Sequence, residues 1–215
     1  MVYIEIRNYS KKLKGNLILD NVNIDIEKGC IYGLYGANGS GKTMLLRAIS
    51  GLIRGTEGYV KVGSEIIGKD ISFPKSVGVM IESPGFYDRY TGFENLKILS
   101  QIKKQIGDEK IKESLERVGL NPDDKRTFKK YSLGMKQRLG IAQAIMEKPE
   151  LLLLDEPTNG LDEEGVERVR KIILEEKNKG STIIMANHNK EDMKYLADKI
   201  LLIREGRVKE GEIDD

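Results

Sequence analysis

The glycine-rich segment GANGSGKT at residues 36–43 has the residue types and the spacing that suit phosphate binding. Its glycines permit backbone angles that aim successive N–H groups at phosphate oxygens. The segment follows the apolar run IYGLY and precedes the helical pattern MLLRAIS, so the positive end of a helix adds to the attraction. We therefore predict a phosphate loop composed of Gly36, Ala37, Asn38, Gly39, Ser40, Gly41, Lys42 and Thr43.

Four side chains have the chemistry to act on a bound phosphate. Lys42 would place a charge on the β and γ phosphates, and Thr43 would offer its hydroxyl to Mg²⁺. The apolar run LLLL ends in Asp155 and Glu156, and carboxylates at the end of a buried strand are costly unless they meet a cation or transfer a proton. We assign Asp155 to Mg²⁺ and Glu156 to polarising the attacking water. This combination is typical of P-loop nucleoside triphosphatases.

The elements that must position these residues follow an α/β pattern. Short apolar runs alternate with segments of helical period, which predicts a mainly parallel sheet. The predicted strands lie at residues 2–6, 18–26, 31–35, 77–81, 151–154, 182–186 and 199–203. Residues 85–148 show helical spacing without a strand signal, so we predict a helical insert with a connecting loop at 119–130.

Composition excludes several classes of protein. The chain has 215 residues, 33% of them charged, and its 36 Lys plus Arg nearly balance its 34 Asp plus Glu. A general binder of nucleic-acid backbone is therefore not expected. The apolar runs fall far short of the roughly 18 residues that a membrane span needs. Any membrane role must come through a partner.

A second anion site is predicted at the segment KKYSLGMKQRLGIAQAI, residues 129–145. Ser132, the Gly134 N–H and a helix dipole would bind a phosphate there. One chain then has two phosphate sites and one Mg²⁺ site. A head-to-tail dimer with two-fold symmetry would place Ser132 of one copy over the phosphate loop of the other.

With these motifs in this order, the sequence resembles the ATP-binding subunit of ABC transporters from about residue 9 to 203. In the family's signature, Ser132, Gly134 and Arg138 are kept, while Leu133 and Met135 replace a glycine and a glutamine. The resemblance implies ATP as the nucleotide and an ABC-type P-loop fold, with an antiparallel β portion near the N-terminus. It also implies a single domain at 1–215, with its core at 1–84 and 149–215 and a helical subdomain at about 85–148.

The resemblance adds two site residues. His188, the one histidine of the chain, matches the family's H-loop and would hydrogen-bond the γ phosphate and the attacking water. The segment NGLD at 159–162 is similar to the D-loop, which places Asp162 near the dimer seam.

Two departures from the family pattern carry information. Glu82 stands where the family pattern has a glutamine that reaches Mg²⁺. Together with the segment YSLGMKQR at 131–138, it is similar to the bacitracin-resistance and lantibiotic-immunity branch of the family. A carboxylate there would join Asp155 at the metal. The adenine-stacking aromatic is also replaced, by Leu13, so Leu13 or Tyr9 contacts the base.

The resemblance implies an ATPase that dimerises on ATP and drives a separately encoded membrane permease. We expect it to lie in the cytoplasm, on the inner face of the membrane, with export of a peptide antibiotic or other amphiphile as the transport task. The permease would dock on the loop around residues 82–87 and on the helical insert. In that loop, Phe86 and Tyr87 are either exposed anchors or packed turn residues. The alternatives are a soluble ABC-type ATPase that acts on ribosomes or DNA, and a small-molecule kinase.

Overall fold

The computed structural model describes residues 1–82 and 85–213, which form two β-sheets and a set of helices. The strands are β1 (Val2–Leu13), β2 (Asn16–Glu27), β3 (Ile31–Tyr35), β4 (Glu57–Val62), β5 (Glu65–Ile66), β6 (Val77–Met80), β7 (Leu151–Asp155), β8 (Thr182–Ala186), β9 (Lys199–Arg204) and β10 (Arg207–Glu210). The helices are α1 (Lys42–Ser50), α2 (Gly92–Lys103), α3 (Asp108–Arg117), α4 (Leu133–Ile145), α5 (Glu163–Asn178) and α6 (Lys190–Leu196), with a 3₁₀ turn at Phe128–Lys130.

The larger sheet has the strand order β10-β9-β3-β8-β7-β6. Strands β9, β3, β8, β7 and β6 run parallel, and β10 pairs with β9 in the antiparallel sense. All residues of β7 and β8 are buried. Both faces of these strands are covered, which is why they read as unbroken apolar runs rather than as alternating ones.

Two hydrophobic clusters occupy the two faces of this sheet. Leu152 and Leu154 of β7 belong to a cluster with residues of α2 to α6, while Leu151 and Leu153 belong to a cluster with β1, β2 and α1. This division follows from the two-residue period of a strand, which sends neighbouring side chains to opposite faces. The sheet is therefore the middle layer of the molecule.

The smaller sheet is antiparallel, with the order β2-β1-β4-β5. Strand β2 alternates buried Ile24 and Ile26 with exposed Asn23 and Asp25, as expected for a sheet with one face on the core. The antiparallel β portion near the N-terminus is confirmed.

The predicted strands at 31–35 and 182–186 agree with β3 and β8, and the others agree apart from their ends. Strands β4, β5 and β10 were not predicted from the sequence. Strand β10 is mostly exposed and lacks an apolar pattern. Glu205 and Gly206 connect β9 to β10, and both have positive φ, as in the two-residue turn of a hairpin. The glycine at 206 is the sequence signal that could have indicated this turn.

Helices α2, α3 and α4 occupy the predicted helical insert. Their buried residues share one cluster with Met80 and Leu154 of the large sheet, so this region packs on the sheet rather than around a core of its own. The exact division into core and helical subdomain stays a prediction. Across residues 1–82 and 85–213, no helix is both long and apolar enough to cross a bilayer.

The fold gathers the predicted site residues at one edge. In parallel strands the carboxyl ends point the same way, and the loops that follow β3, β6, β7 and β8 therefore meet at the same edge of the sheet. The phosphate loop follows β3, Glu82 follows β6, Glu156 follows β7 and His188 follows β8.

Candidate active site

The phosphate loop joins β3 to α1, which begins at Lys42 with Gly41 as its N-cap. Gly41 has φ 112°, a left-handed conformation that glycine adopts without strain. A Cβ at Gly36 would collide with the carbonyl oxygen of Ile203, so the close approach of β9 requires glycine there. Both positions explain why this sequence folds as a tight cradle at the start of a helix.

The cradle fits an anion. Lys42 is buried, and its Nζ donates to the carbonyl oxygens of Gly36 at 2.7 Å and Ala37 at 3.1 Å. Ser40 Oγ is also buried and has no hydrogen-bond partner among the described residues. Lys42 Nζ keeps a third donor that a phosphate oxygen would accept, and Ser40 Oγ is a buried polar atom of the kind that is normally paired.

A cavity of about 240 Å³ brings together the phosphate loop and the acid pair. Its lining consists of Ile18, Asn38, Gly39, Gly41, Lys42, Thr43, Met44, Asp155 and Glu156. Within it, Thr43 Oγ1 donates to Asp155 Oδ2 at 2.6 Å. Burial raises the pKa of Asp155, against the lowering effect of the Thr43 hydrogen bond.

This arrangement suits a divalent cation supplied with its nucleotide. In residues 1–82 and 85–213, no group of three or more His, Cys, Asp or Glu side chains is placed to hold a metal by itself. Mg²⁺ typically takes one or two protein ligands and completes its shell with phosphate oxygens and water. Thr43 and Asp155 match that requirement, and a cation would offset the cost of burying the carboxylate.

Glu156 and His188 face each other beside the cavity. His188 Nδ1 lies 2.8 Å from Glu156 Oε2, which joins the loops after β8 and β7. Glu156 has φ 50°, a left-handed conformation that is strained for a side chain other than glycine. The prediction that these two residues lie at one site agrees with this geometry.

The carboxylate of Glu82 lies close enough to Asp155 to contribute to the raised pKa of that group, but it is paired with another side chain. Its Oε2 forms an ion pair with Arg47 of α1 at 2.7 Å, and it lines a different cavity of about 290 Å³. The structure therefore does not bring Glu82 into contact with Thr43 and Asp155. Its role at the metal stays a prediction.

The second anion site has the predicted local form. Ser132 is the N-cap of α4, and its Oγ accepts a hydrogen bond from the Met135 N–H at 3.2 Å. Gly134 lies in the first turn of α4, and neither it nor Ser132 lines the cavity of the phosphate loop in the part of the chain that is described. Asp162 is the N-cap of α5 and accepts from Gly165 N–H at 3.0 Å.

The candidates for contact with adenine and with a partner are partly corrected. Tyr9 is 3% exposed and lies in the core, so it cannot stack on a base, whereas Leu13 is exposed. Phe86 packs edge-on against Phe128 with ring centroids 5.2 Å apart, so it is a turn-packing residue. Tyr87 is 62% exposed and remains available. Residues 83 and 84 of the predicted docking segment lie outside the described residues.

Sequence reasoning missed two sets of contacts. Gln137 Nε2 donates to the carbonyl oxygen of Glu156 at 2.7 Å, which ties α4 to the loop after β7. The buried carboxylate of Asp192 accepts hydrogen bonds from Thr158 and Asn187. Thr158 lies in the same loop as Glu156, and Asn187 directly precedes His188. No sequence pattern near these residues predicted the contacts, although Gln137 lies within the signature segment.

A parallel α/β core with a phosphate cradle and a carboxylate–histidine pair at the same sheet edge defines a P-loop ATPase. A family model described as ABC transporter matches residues 19–159. The chain belongs to this family as an ATP-binding protein, and it is an ATPase that powers transport.

Three relatives illustrate the likeness. The uncharacterized ABC transporter ATP-binding protein YybJ of Bacillus subtilis (strain 168) is 54% identical over 209 residues, which cover 97% of this chain and 96% of that protein. The bacitracin transport ATP-binding protein BcrA of Enterococcus faecalis is 40% identical over 96% of this chain and 68% of its own. The lantibiotic transport ATP-binding protein SrtF of Streptococcus pyogenes is 39% identical over 95% of this chain and 88% of its own. The resemblance to the bacitracin and lantibiotic branch is confirmed.

A solved structure shows the same fold. The ATP-binding cassette MJ0796, in a dimeric post-hydrolysis state bound to ADP and Pi, aligns with a TM-score of 0.88 at 22% identity, over 99% of each chain. The predicted ABC-type fold is confirmed.

Proposed function

We propose that this ATPase binds ATP with Mg²⁺ at the phosphate loop and hydrolyses it with Glu156 and His188, to drive a membrane permease that exports a peptide antibiotic. The observation that carries the proposal is the 2.8 Å contact between His188 Nδ1 and Glu156 Oε2, next to the cavity that holds Lys42, Thr43 and Asp155. A carboxylate held by an imidazole at the edge of this cavity is placed to orient a water molecule toward a phosphate bound there.

The side chains of the site divide the work of binding and hydrolysis in this scheme. Lys42 neutralises charge that develops on the transferred phosphoryl group, and the N–H groups of the phosphate loop hold its oxygens. Thr43 and Asp155 hold Mg²⁺, which when bound neutralises charge on the β and γ phosphates. Glu156 orients and polarises the water, while His188 keeps the Glu156 carboxylate in place and reaches the γ phosphate from the other side.

The active unit is a head-to-tail dimer. Ser132 and the Gly134 N–H form an anion site at the start of α4 that lies outside the cavity of the phosphate loop. Two-fold pairing would set this site of one copy over the γ phosphate bound to the other, with Asp162 at the seam. The cassette MJ0796, which has the same fold, is dimeric, and this supports assembly as a dimer.

The cargo and the location rest on the relatives. BcrA and SrtF are described as transport ATP-binding proteins for bacitracin and for a lantibiotic. They are 40% and 39% identical to this chain, over 96% and 95% of its length. We therefore place this chain at the inner face of the cell membrane, bound to a separately encoded permease. Tyr87 is the exposed residue that supports docking there.

Replacement of Glu156 by Gln tests the hydrolysis step. We expect steady ATP hydrolysis by Glu156→Gln to fall by about 100-fold or more, because a general base contributes on the order of 10² to 10⁴. ATP binding should persist, and light scattering should show an ATP-dependent dimer. Glu116→Gln, at an exposed position on α3, is the matched control. Hydrolysis at the wild-type rate in Glu156→Gln would exclude Glu156 as the base.

The transport step needs a separate test. We expect bacitracin or a lantibiotic to stimulate ATP hydrolysis when the chain is reconstituted in liposomes with its separately encoded permease. Tyr87→Ala should lower this stimulation while the basal hydrolysis of the isolated chain stays at the wild-type rate. Stimulation by RNA or DNA, and none by the peptides, would instead favour the ribosome or DNA alternative.

A further inference from the structure

Asp192 is a buried carboxylate that the hydrolysis scheme above does not use. It lies in α6 and is 2% exposed. Thr158 Oγ1 donates to its Oδ2 at 2.6 Å, Asn187 Nδ2 donates to the same oxygen at 2.9 Å, and Arg170 Nε donates to Oδ1 at 2.8 Å. Arg170 Nη2 also donates to Oδ1, so three side chains supply four donors, and a carboxylate bonded in this way is held rigidly.

The donors come from the two loops that carry the reacting pair. Thr158 lies two residues after Glu156 in the loop after β7, and Asn187 directly precedes His188 at the end of β8. Asn187 Nδ2 also donates to Thr158 Oγ1 at 3.2 Å, so the two loops are bonded to each other as well as to Asp192. Asn187 Oδ1 accepts from the Asn189 N–H at 2.9 Å, which fixes the turn that holds His188.

The reacting pair needs such support. The side chain of His188 is 60% exposed, so packing does little to hold the imidazole in one orientation. Glu156 is held at a strained φ of 50°, a conformation that persists only when its surroundings impose it. Thr158, near Glu156, and Asn187, next to His188, are both held by Asp192. These two residues can fix the backbone of Glu156 and the orientation of the His188 imidazole.

We propose that Asp192 is a positioning residue which, through Thr158 and Asn187, sets the contact between Glu156 and His188. This inference rests on the proposed function, in which that contact orients the attacking water. Asp192 itself touches neither nucleotide nor water in this scheme. Its effect passes through the Thr158 hydroxyl, which donates to Asp192 and accepts from Asn187.

The sharpest test removes that hydroxyl and keeps the shape of the side chain. Thr158→Val loses both hydrogen bonds, whereas Thr158→Ser keeps them and serves as the rescuing variant. We expect kcat of Thr158→Val to fall by about 10- to 100-fold, since a small misplacement of reacting groups costs up to about 10². KM and the affinity for ATP should be unchanged, and Thr158→Ser should recover most of the rate.

A second readout does not depend on hydrolysis. The chain has one histidine, so the ¹⁵N imidazole signals in an NMR spectrum belong to His188 alone. With Nδ1 facing a carboxylate, the neutral ring should carry its proton on Nδ1 in the wild type and in Thr158→Ser. In Thr158→Val the signals should move toward the Nε2–H form. Thr158→Ala gives the same test if the valine variant does not fold.

The outcomes separate the two proposals. Unchanged imidazole signals and unchanged kcat in Thr158→Val would overturn the positioning role, and so would an equal loss of rate in Thr158→Ser. Wild-type hydrolysis by Glu156→Gln would overturn the proposed function, whatever the NMR signals of the Thr158 variants show.

Discussion

Thr43 Oγ1 donates a hydrogen bond to Asp155 Oδ2 across 2.6 Å, although 112 positions separate the two residues in the chain. Thr43 lies in the first turn of α1 and Asp155 is the last residue of β7. Their contact joins the phosphate loop to the acid pair and forms the pair of oxygen ligands that the Mg²⁺ of a bound nucleotide would meet.

Thr43→Val should weaken the binding of ATP in the presence of Mg²⁺. A hydrogen bond or ligand to a charged group contributes about 1.5–3 kcal/mol, which corresponds to about 10- to 100-fold in affinity. Calorimetric titration with ATP, with and without Mg²⁺, measures the effect. Thr56→Val is the control, since the Thr56 hydroxyl accepts a hydrogen bond from the N–H of Lys12 in the smaller sheet. An unchanged Mg²⁺ dependence in Thr43→Val would contradict the assignment.

Asp155→Asn should stabilise the nucleotide-free chain at neutral pH while it abolishes hydrolysis. Because burial raises the pKa of Asp155 in the folded state, the folded chain holds the proton more tightly than the unfolded chain. The stability of the wild type therefore falls as the pH rises from the unfolded pKa, about 3.9, past the folded one. The amide removes this loss and still accepts from Thr43.

Thermal unfolding in EDTA at several pH values measures this difference. We expect the melting temperature of Asp155→Asn to exceed that of the wild type at pH 7, with the gap closing as the pH falls toward about 4. A lower melting temperature for the variant at pH 7 would show that ionised Asp155 stabilises the fold.

Substitutions of Glu82 and Arg47 should change the Mg²⁺ requirement in opposite directions. Their ion pair is partly exposed, at 58% and 32%, so its loss should lower the stability by about 1 kcal/mol at most. If Glu82 leaves Arg47 for the metal when nucleotide binds, Glu82→Gln should raise the Mg²⁺ concentration for half-maximal hydrolysis. Arg47→Met, which frees the carboxylate, should lower it. If Glu82→Gln and Arg47→Met need the same Mg²⁺ concentration for half-maximal hydrolysis, Glu82 does not bind the metal.

Gly36→Ala should disrupt the phosphate loop. Its Cβ would collide with the carbonyl oxygen of Ile203, a backbone atom that cannot turn away. Overpacking of this kind costs about 1–3 kcal/mol, so we expect a lower melting temperature and the loss of ATP binding. Gly85→Ala, where an added Cβ meets nothing within 4 Å, is the control. Wild-type ATP affinity in Gly36→Ala would show that the loop can move away from β9.

The sequence by itself determined the parts of this protein that depend on neighbours in the chain. The phosphate loop needs glycines, a lysine and a helix start within residues 36–43, and all of these are visible as letters. The strands β7 and β8 are visible as unbroken apolar runs because both their faces are covered. The order of the motifs was enough to identify the family.

Tertiary structure decided which of these parts touch. The strand order places β8 between β3 and β7, so His188 meets Glu156, while Glu82 after the edge strand β6 pairs with Arg47. Tertiary structure also decides the position of Tyr9. It lies in the core because the pairing of β1 with β2 and β4 sets which face of the smaller sheet is covered. A buried carboxylate such as Asp192 finds its donors only after distant loops have packed together. Sequence patterns show periodicity along one segment, whereas these contacts depend on how separate segments lie against each other.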